Sequence, residues 1–269
     1  MGYLLAALFG GFFLFNSAAT PQKAAHLAQK ALQKQYPGAA IQVEIEGKRG
    51  APVLKGNFRR VSVKMANLTL AALPFEPAFD AKKIARAGKI ELDLRDLKLG
   101  QLPVSRAHLD FSDVEYDFGA LKNQAQFRIV RSGAAHFGLQ LSANALLPAF
   151  ASKLENTSDV EVSTAGQTLT LRGNRRFLGA TTPIVVDGQL AGRGSELRLE
   201  NATLNVGGKR VPDAAARVLL KDLNPLYDFD KGLKWPFRTQ ITSASGIGNQ
   251  IDIRADLRLA APPRANSTP

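Results

Sequence analysis

Few residues in this 269-residue chain are typed and spaced for chemistry. Two close carboxylate pairs occur, Asp228 with Asp230 and Asp93 with Asp96. Facing carboxylates could divide acid and base work, as in glycoside hydrolysis. Asp228 and Asp230, however, adjoin Lys231 in a stretch holding Pro225, Gly232 and Pro236, where a solvated turn or a lysine partner accounts for them better. Asp93 and Asp96 lie near a break in a strand pattern, and exposure or turn chemistry explains them at least as well. The three histidines, His26, His108 and His136, are far apart. His108 and His136 adjoin alternating apolar residues and are expected to be strand residues with one hydrogen bond each. Cysteine is absent, which excludes disulfides, thiolate metal sites, a cysteine nucleophile and a cysteine-linked lipid anchor. There is no HExxH helix, GxSxG elbow or GxxxxGK[ST] loop. The expectation is a protein that is not an enzyme, with no catalytic residue, no metal and no cofactor.

The basic residues carry more information. Thirty-five Lys and Arg against 23 Asp and Glu give a net charge of +12, which suits a polyanion, either nucleic acid or an anionic membrane face. The first 150 residues hold 19 basic and 11 acidic side chains, the remainder 16 and 12. Arg59-Arg60 and Arg175-Arg176 offer guanidinium pairs that can form paired bonds to phosphate, and Lys82-Lys83 adds a further cluster. Each cluster alone also has a plain reading as a solubilising surface. Near the carboxyl end, Tyr227, Phe229, Trp235 and Phe237 make an aromatic stretch, either an interfacial contact or a plug of core. Leu146, Leu147, Phe150 and Leu154 share that ambiguity between core cover and the wall of an apolar cavity.

The elements that must position these residues begin with a leader. Residues 2–15 (GYLLAALFGGFFLF) are apolar or glycine, and the small residues Ser17, Ala18 and Ala19 follow. The run has the length of a signal core, while residues 1–19 together are just long enough to span, so a cleaved signal and a retained anchor both stand. Export disfavours nucleic acid and favours phospholipid headgroups or an anionic envelope polymer. A helix is expected from Pro21, capped by Thr20 and ended at Tyr36-Pro37-Gly38. It carries Lys23, Lys30 and Lys34 on one line, opposite an alanine-rich face. That stripe lies either on an anionic leaflet or in solvent.

From Ile41 to Leu259 the dominant period is two, as in Ile90, Leu92, Leu94 and in Ile251, Ile253, Ala255, Leu257. Charged residues alternate with them, the pattern of half-buried antiparallel sheet. Three further segments have helical character: Pro77 to Ala87, Asn144 to Leu154 and Asp213 to Lys221. The alternation slips phase at Asn67-Leu68, Asp96-Leu97 and Asn201-Ala202, as a β-bulge does, and bulges curve a sheet. The fold class expected is α+β, a long curved, mostly antiparallel sheet forming a trough or half-barrel with a few packed helices. Residues 1–19 form the leader, 20–259 one domain and 260–269 a disordered tail.

The arrangement resembles the LmeA-like family of exported bacterial phospholipid-binding proteins, whose sheets and helices are similar to tubular lipid-binding folds. The resemblance is carried by Leu54-Lys55-Gly56-Asn57-Phe58-Arg59-Arg60-Val61-Ser62-Val63, by Gly166-Gln167-Thr168-Leu169-Thr170-Leu171-Arg172-Gly173 and by Thr182-Pro183-Ile184-Val185-Val186. Asn224-Pro225-Leu226, Trp235-Pro236-Phe237 and the closing strand Ile251 to Leu259 complete it. It implies an envelope protein that binds phospholipid and has no catalytic centre. The expected headgroup or anionic-surface contacts are Lys23, Lys30, Lys34, Arg59, Arg60, Lys82, Lys83, Arg175 and Arg176. The expected acyl-chain contacts are Leu146, Leu147, Phe150, Leu154, Tyr227, Trp235 and Phe237. The expected partner is anionic phospholipid or a membrane surface met by a monomer in the periplasm or cell envelope, with the leader at residues 2–15 as a possible anchor. The rival is a structural envelope protein that binds a protein or an anionic glycan.

Overall fold

The computed structural model describes residues 20–70, 76–99, 102–124, 127–148, 157–177, 180–233 and 235–260. The expectations for the leader, for Phe150 and Leu154 and for the tail beyond Ala260 fall outside these residues. Thr20 Oγ1 accepts the Lys23 amide at 3.3 Å and Pro21 occupies the first turn, so helix α1 spans Pro21–Gln35. Its small face of Ala24, Ala28 and Leu32 is buried against strand β1 (Ala40–Glu46), leaving Lys23, Lys30 and Lys34 in solvent.

A four-residue helix, α2 (Ala51–Leu54), leads into β2 (Phe58–Leu70). The short β3 (Glu76–Pro77) and the long β4 (Ile84–Leu99) follow. The helix expected between Pro77 and Ala87 does not form. Pro77 pairs with Ile129, and the two-residue period of Ile90 and Leu92 continues upstream through the buried Ala87 and Ala85 after one slip at Gly88. The chain then makes β5 (Leu102–Asp117), α3 (Phe118–Gln124), β6 (Arg128–Arg131) and β7 (Ala135–Ser142). At the expected helix from Asn144, a 3₁₀ turn over Ala143–Leu146 is capped by Ser142; residues 149–156 lie outside the described set. Strands β8 (Thr157–Ala165), β9 (Thr168–Phe177), β10 (Ala180–Arg193), β11 (Glu196–Val206) and β12 (Lys209–Arg210) precede α4 (Asp213–Leu220), which falls where the sequence places a helix. Strand β13 (Tyr227–Asp228), α5 (Phe229–Leu233), β14 (Phe237–Ile247) and β15 (Gln250–Leu259) finish the fold.

The strands form two sheets. The first runs β1-β2-β4-β5-β7-β15-β14, with β6 beside β5 and β3 beside β6; the second runs β12-β11-β10-β9-β8, with β13 beside β11. Pairing is antiparallel except between β2 and β4 and between β3 and β6. The sheet curls into a half-barrel because its strands carry the expected phase slips. Pairing passes from Ala66↔Arg95 to Leu68↔Leu97, stepping over Asn67 and Asp96, which adopt φ of 62° and 48°. In β11 the partners step over Asn201 (φ 50°) and Ala202 opposite Gly188. Asn and Asp tolerate this left-handed backbone better than other side chains, so the kinks sit where those residues sit.

The two sheets meet along β10 and β14. Ile241 N–H donates to the Gly194 carbonyl at 2.8 Å, and a Cβ on Gly192 would lie 2.3 Å from the Ile241 side chain. Only glycine permits that approach. The alternating residues of both sheets, with α1 and α4, enclose one continuous core that includes Leu32, Val63, Leu92, Leu109, Leu171, Leu197 and Ile253.

Candidate functional site

The parallel pairing of β2 with β4, and the antiparallel pairing of β4 with β5, bring the start of β2, the start of β4 and the end of β5 to one end of the first sheet. The loops there are fastened together. Tyr116 Oη donates to the Gly56 carbonyl, the Asn57 side-chain carbonyl accepts the Arg86 amide at 3.0 Å, and Phe118 N–H donates to the Lys83 carbonyl at 2.7 Å. Burial pushes the Tyr116 hydroxyl far above its ordinary pKa, so it stays a donor. Gly56 has φ 76°, and a Cβ there would strike the Phe118 ring at 2.6 Å.

Two recesses open at this end. One, of about 680 Å³, has a floor of Pro21, Ile45, Pro52 and Phe58 and a rim that includes Lys48 and Arg59. The other, of about 320 Å³, is lined by Lys82, Lys83 and Arg128 with Asp80 and Asp117. Asp117 is occupied, accepting the amides of Gly119 at 2.8 Å and Ala120 at 3.0 Å. Lys48, Arg49, Lys55, Lys82 and Lys83 are exposed and make no ion pair among the described residues. Glu46, the partner of Arg59, also lines the first recess, so Lys48 is the unpaired cation of its rim among the described residues; an apolar floor beside free lysines suits an amphiphile with a negative head.

The expected basic residues are thus only partly gathered. Lys82 and Lys83 lie at this end. Arg59 is here too but pairs with Glu46, and Arg60 pairs with Glu91 and, at 3.7 Å, with Glu46. Both arginines therefore spend contacts on protein carboxylates, and the cations left free are mostly lysines. Lys23 begins the α1 stripe near the first recess, whereas Lys30 and Lys34 continue along the helix away from it. Arg175 and Arg176 stand apart, near the end of β9 in the second sheet.

The aromatic stretch folds inward. Trp235 is 7% exposed, with ring centres 5.1 Å from Phe137 and 5.7 Å from Phe237. Phe237 in turn lies 5.4 Å from Phe111, and Tyr227 packs 4.9 Å from Phe229 while remaining half-buried. Leu146 is buried and Leu147 partly so. Leu146, Trp235 and Phe237 are part of the core, with Leu147 and Tyr227 packed at its edge.

The carboxylate pairs have structural duties. Asp228 caps α5, taking the Asp230 amide at 3.2 Å, the Ser195 hydroxyl at 3.0 Å and the Lys231 ammonium at 2.9 Å. Asp230 accepts the Thr239 amide at 2.9 Å. Asp93 receives a two-pronged bond from Arg106 at 2.9 and 3.0 Å. Burial alone would raise the Asp93 pKa, but Arg106 and then Arg95 outweigh it and hold the carboxyl below its ordinary value. Glu91 behaves alike: burial opposes its charge, and Lys89 (2.6 Å) and Arg60 overcome that. His136 Nδ1 lies 2.9 Å from Asp256. Among the described residues no group of three or more His, Asp or Glu side chains could hold a metal ion, and no helix is long and apolar enough to cross a membrane.

Sequence reasoning missed three apolar residues at this end, Leu54, Phe79 and Ile84, which are 45%, 50% and 52% exposed. Their signal was their setting, large apolar side chains close in sequence to Lys55, Lys82 and Lys83.

A curled, two-sheet half-barrel with a basic, recessed end defines a class of amphiphile-binding scaffold. Residues 16–256 match the LmeA-like phospholipid-binding family, and the chain belongs to that family. Searches of curated proteins and of solved structures give no match.

Proposed function

We propose that this chain is an exported, non-catalytic protein of the cell envelope that binds phospholipid and docks on anionic membrane through its basic clusters. The observation that carries the reading is the recess whose apolar floor, Pro21, Ile45, Pro52 and Phe58, lies under a rim holding Lys48 and Arg59. Family membership supplies the ligand class.

In this account diffusion toward an anionic leaflet is steered by the lysines and arginines, each contributing about 1 kcal/mol close to the surface. Lys82, Lys83 and Arg59 meet headgroups first, and Lys23 follows from the start of α1. Lys30, Lys34, Arg60, Arg175 and Arg176 add to the field of a monomer with net charge +12. Acyl-chain burial then contributes about 0.8 kcal/mol per methylene, irrespective of headgroup, so selectivity resides in the charged rim. The first acyl contacts at this end are the floor residues Pro21, Ile45, Pro52 and Phe58; Leu147, beyond Ser142 at the other end of the sheet, and Tyr227 in the second sheet serve a chain that runs through the interior, where Leu146, Trp235 and Phe237 join if the wall opens. Residues 2–15 deliver or tether the protein.

The closed packing around Trp235 and Phe237 favours a second reading, a structural envelope protein that uses its basic surface for a protein partner or an anionic glycan. Vesicle flotation of the full chain separates the two. Binding is expected to rise with the fraction of phosphatidylglycerol and to fall steeply with added salt. Equal flotation with purely zwitterionic vesicles, insensitive to salt, rejects docking through the basic clusters.

A further inference from the structure

We propose that the loop end of the first sheet is the face that seats on an anionic phospholipid bilayer, with Leu54, Phe79 and Ile84 entering the interface between the lysines. The inference rests on the phospholipid-binding reading and adds which face of the molecule meets the membrane and by what side chains.

Scattered exposed apolar residues are ordinary on a protein surface. Here three of the five large ones among the described residues share one end of one sheet, although they come from separate segments. Leu54 closes α2, Phe79 follows β3, and Ile84 opens β4 opposite Asp117. The other two are elsewhere: Val218 is on α4, and Ile247 is in the β14–β15 hairpin, which aligns with Ser142 at the opposite end of the sheet.

The cations at this end flank the apolar side chains in sequence. Lys48, Arg49 and Lys55 flank Leu54, and Lys82 and Lys83 lie between Phe79 and Ile84. Apolar residues within a free basic surface are the composition of an interfacial contact, in which burial and headgroup attraction add. The acidic groups nearby are largely committed, Glu46 to Arg59 and Arg60, Glu115 to Arg86 and Arg131, and Asp117 to amides; Asp80 and Asp113 have no ion pair among the described residues. The chain enters the described fold at Thr20, beside the recess of Pro21 and Ile45, so the segment preceding it joins the fold on this side. With this end down, the residues that line both recesses lie on the membrane side.

The absence of cysteine makes single-cysteine labelling clean. Full-length Leu54→Cys, Phe79→Cys, Ile84→Cys and Ile247→Cys variants would each carry an environment-sensitive fluorophore. They are mixed with vesicles of phosphatidylglycerol and phosphatidylcholine containing a doxyl-lipid quencher. The first three labels are expected to shift to the blue and be quenched on binding, and Ile247→Cys to remain in water. A Lys55→Glu/Lys82→Glu/Lys83→Glu variant, checked for an unchanged melting midpoint, is expected to need roughly tenfold or more vesicle for the same quenching at Phe79→Cys. Equal quenching at Ile247→Cys overturns the proposal, as does shielding of the three labels only by an added acidic protein. If the chain carries extracted phospholipid while all three labels stay in water, the docking face is wrong and lipid binding stands. If it neither carries lipid nor binds vesicles, the underlying reading fails.

Discussion

Among the described residues, five other than glycine hold left-handed backbone, and all are Asn or Asp: Asn67, Asp96, Asp113, Asp159 and Asn201. Each lies where strand pairing is interrupted, with a shift of register at Asp159 and Asn201 and with one residue skipped on both strands at Asn67, Asp96 and Asp113, so the side chain that tolerates positive φ and the kink coincide. Three of them were legible in the sequence, because Asn67, Asp96 and Asn201 each break a clear run of alternating Val or Leu. Asp113 and Asp159 were not, since their flanks already mix polar residues on both faces. A β-branched residue cannot hold this backbone without strain, so Asp96→Val is expected to lower stability by about 1–2 kcal/mol, while Asn67→Gly stays within about 0.5 kcal/mol of the native chain. Urea titration of both variants checks this. Acid sensitivity also belongs to this scale. Glu91, Asp93 and Asp228 have depressed pKa values in the fold, so their contribution is complete above the ordinary carboxylate pKa and is lost as pH falls through the lowered one. Stability measured by urea melts is expected to hold from neutral pH to about pH 5 and to fall below about pH 4. Glu91→Gln weakens that fall, and an unchanged pH profile in the variant contradicts the assignment.

Among the elements, α1 was read correctly from its capping Thr20, Pro21 and alanine face, because a short amphipathic helix with both ends marked leaves little choice. Its burial gives a contrast: Leu32 is wholly buried and Lys30 exposed. Leu32→Ala is expected to cost about 2–5 kcal/mol and Lys30→Ala less than about 0.5 kcal/mol in thermal or chemical unfolding. The stretch from Pro77 to Ala87 shows why propensity misleads. Its alanines and lysines favour helix locally, but Ala85 and Ala87 are drawn into the ladder with β2 and β5, and tertiary pairing wins. The seam between β10 and β14 was invisible for a different reason, since the fit of Gly192 to Ile241 joins residues about fifty apart with no local pattern. The loop end was half legible: its lysines stood out as charge, whereas the pairing of Arg59 and Arg60 with Glu46 and Glu91 depends on which strands become neighbours.

At the scale of the whole molecule, the +12 charge resolves into an uneven surface. Some cations are neutralised within the first sheet, and a free group collects at the recessed end with Leu54, Phe79 and Ile84. The aromatic stretch, legible in the sequence as either an interfacial contact or a plug of core, packs into the core, and in the proposed function the loop end is the surface that meets the amphiphile. Because the attraction is electrostatic and exposed, it should weaken as the Debye length shrinks from about 10 Å at 0.1 M salt to about 3 Å at 1 M. Binding of phospholipid itself is the claim on which the rest depends. Mass spectrometry of lipid extracted from the purified full chain, after washing at high salt to strip loosely held membrane, tests it most directly. Phospholipid retained in a fixed ratio to protein, enriched in anionic headgroups over the host membrane, is the predicted result; protein that emerges free of phospholipid and takes up none from anionic vesicles contradicts it.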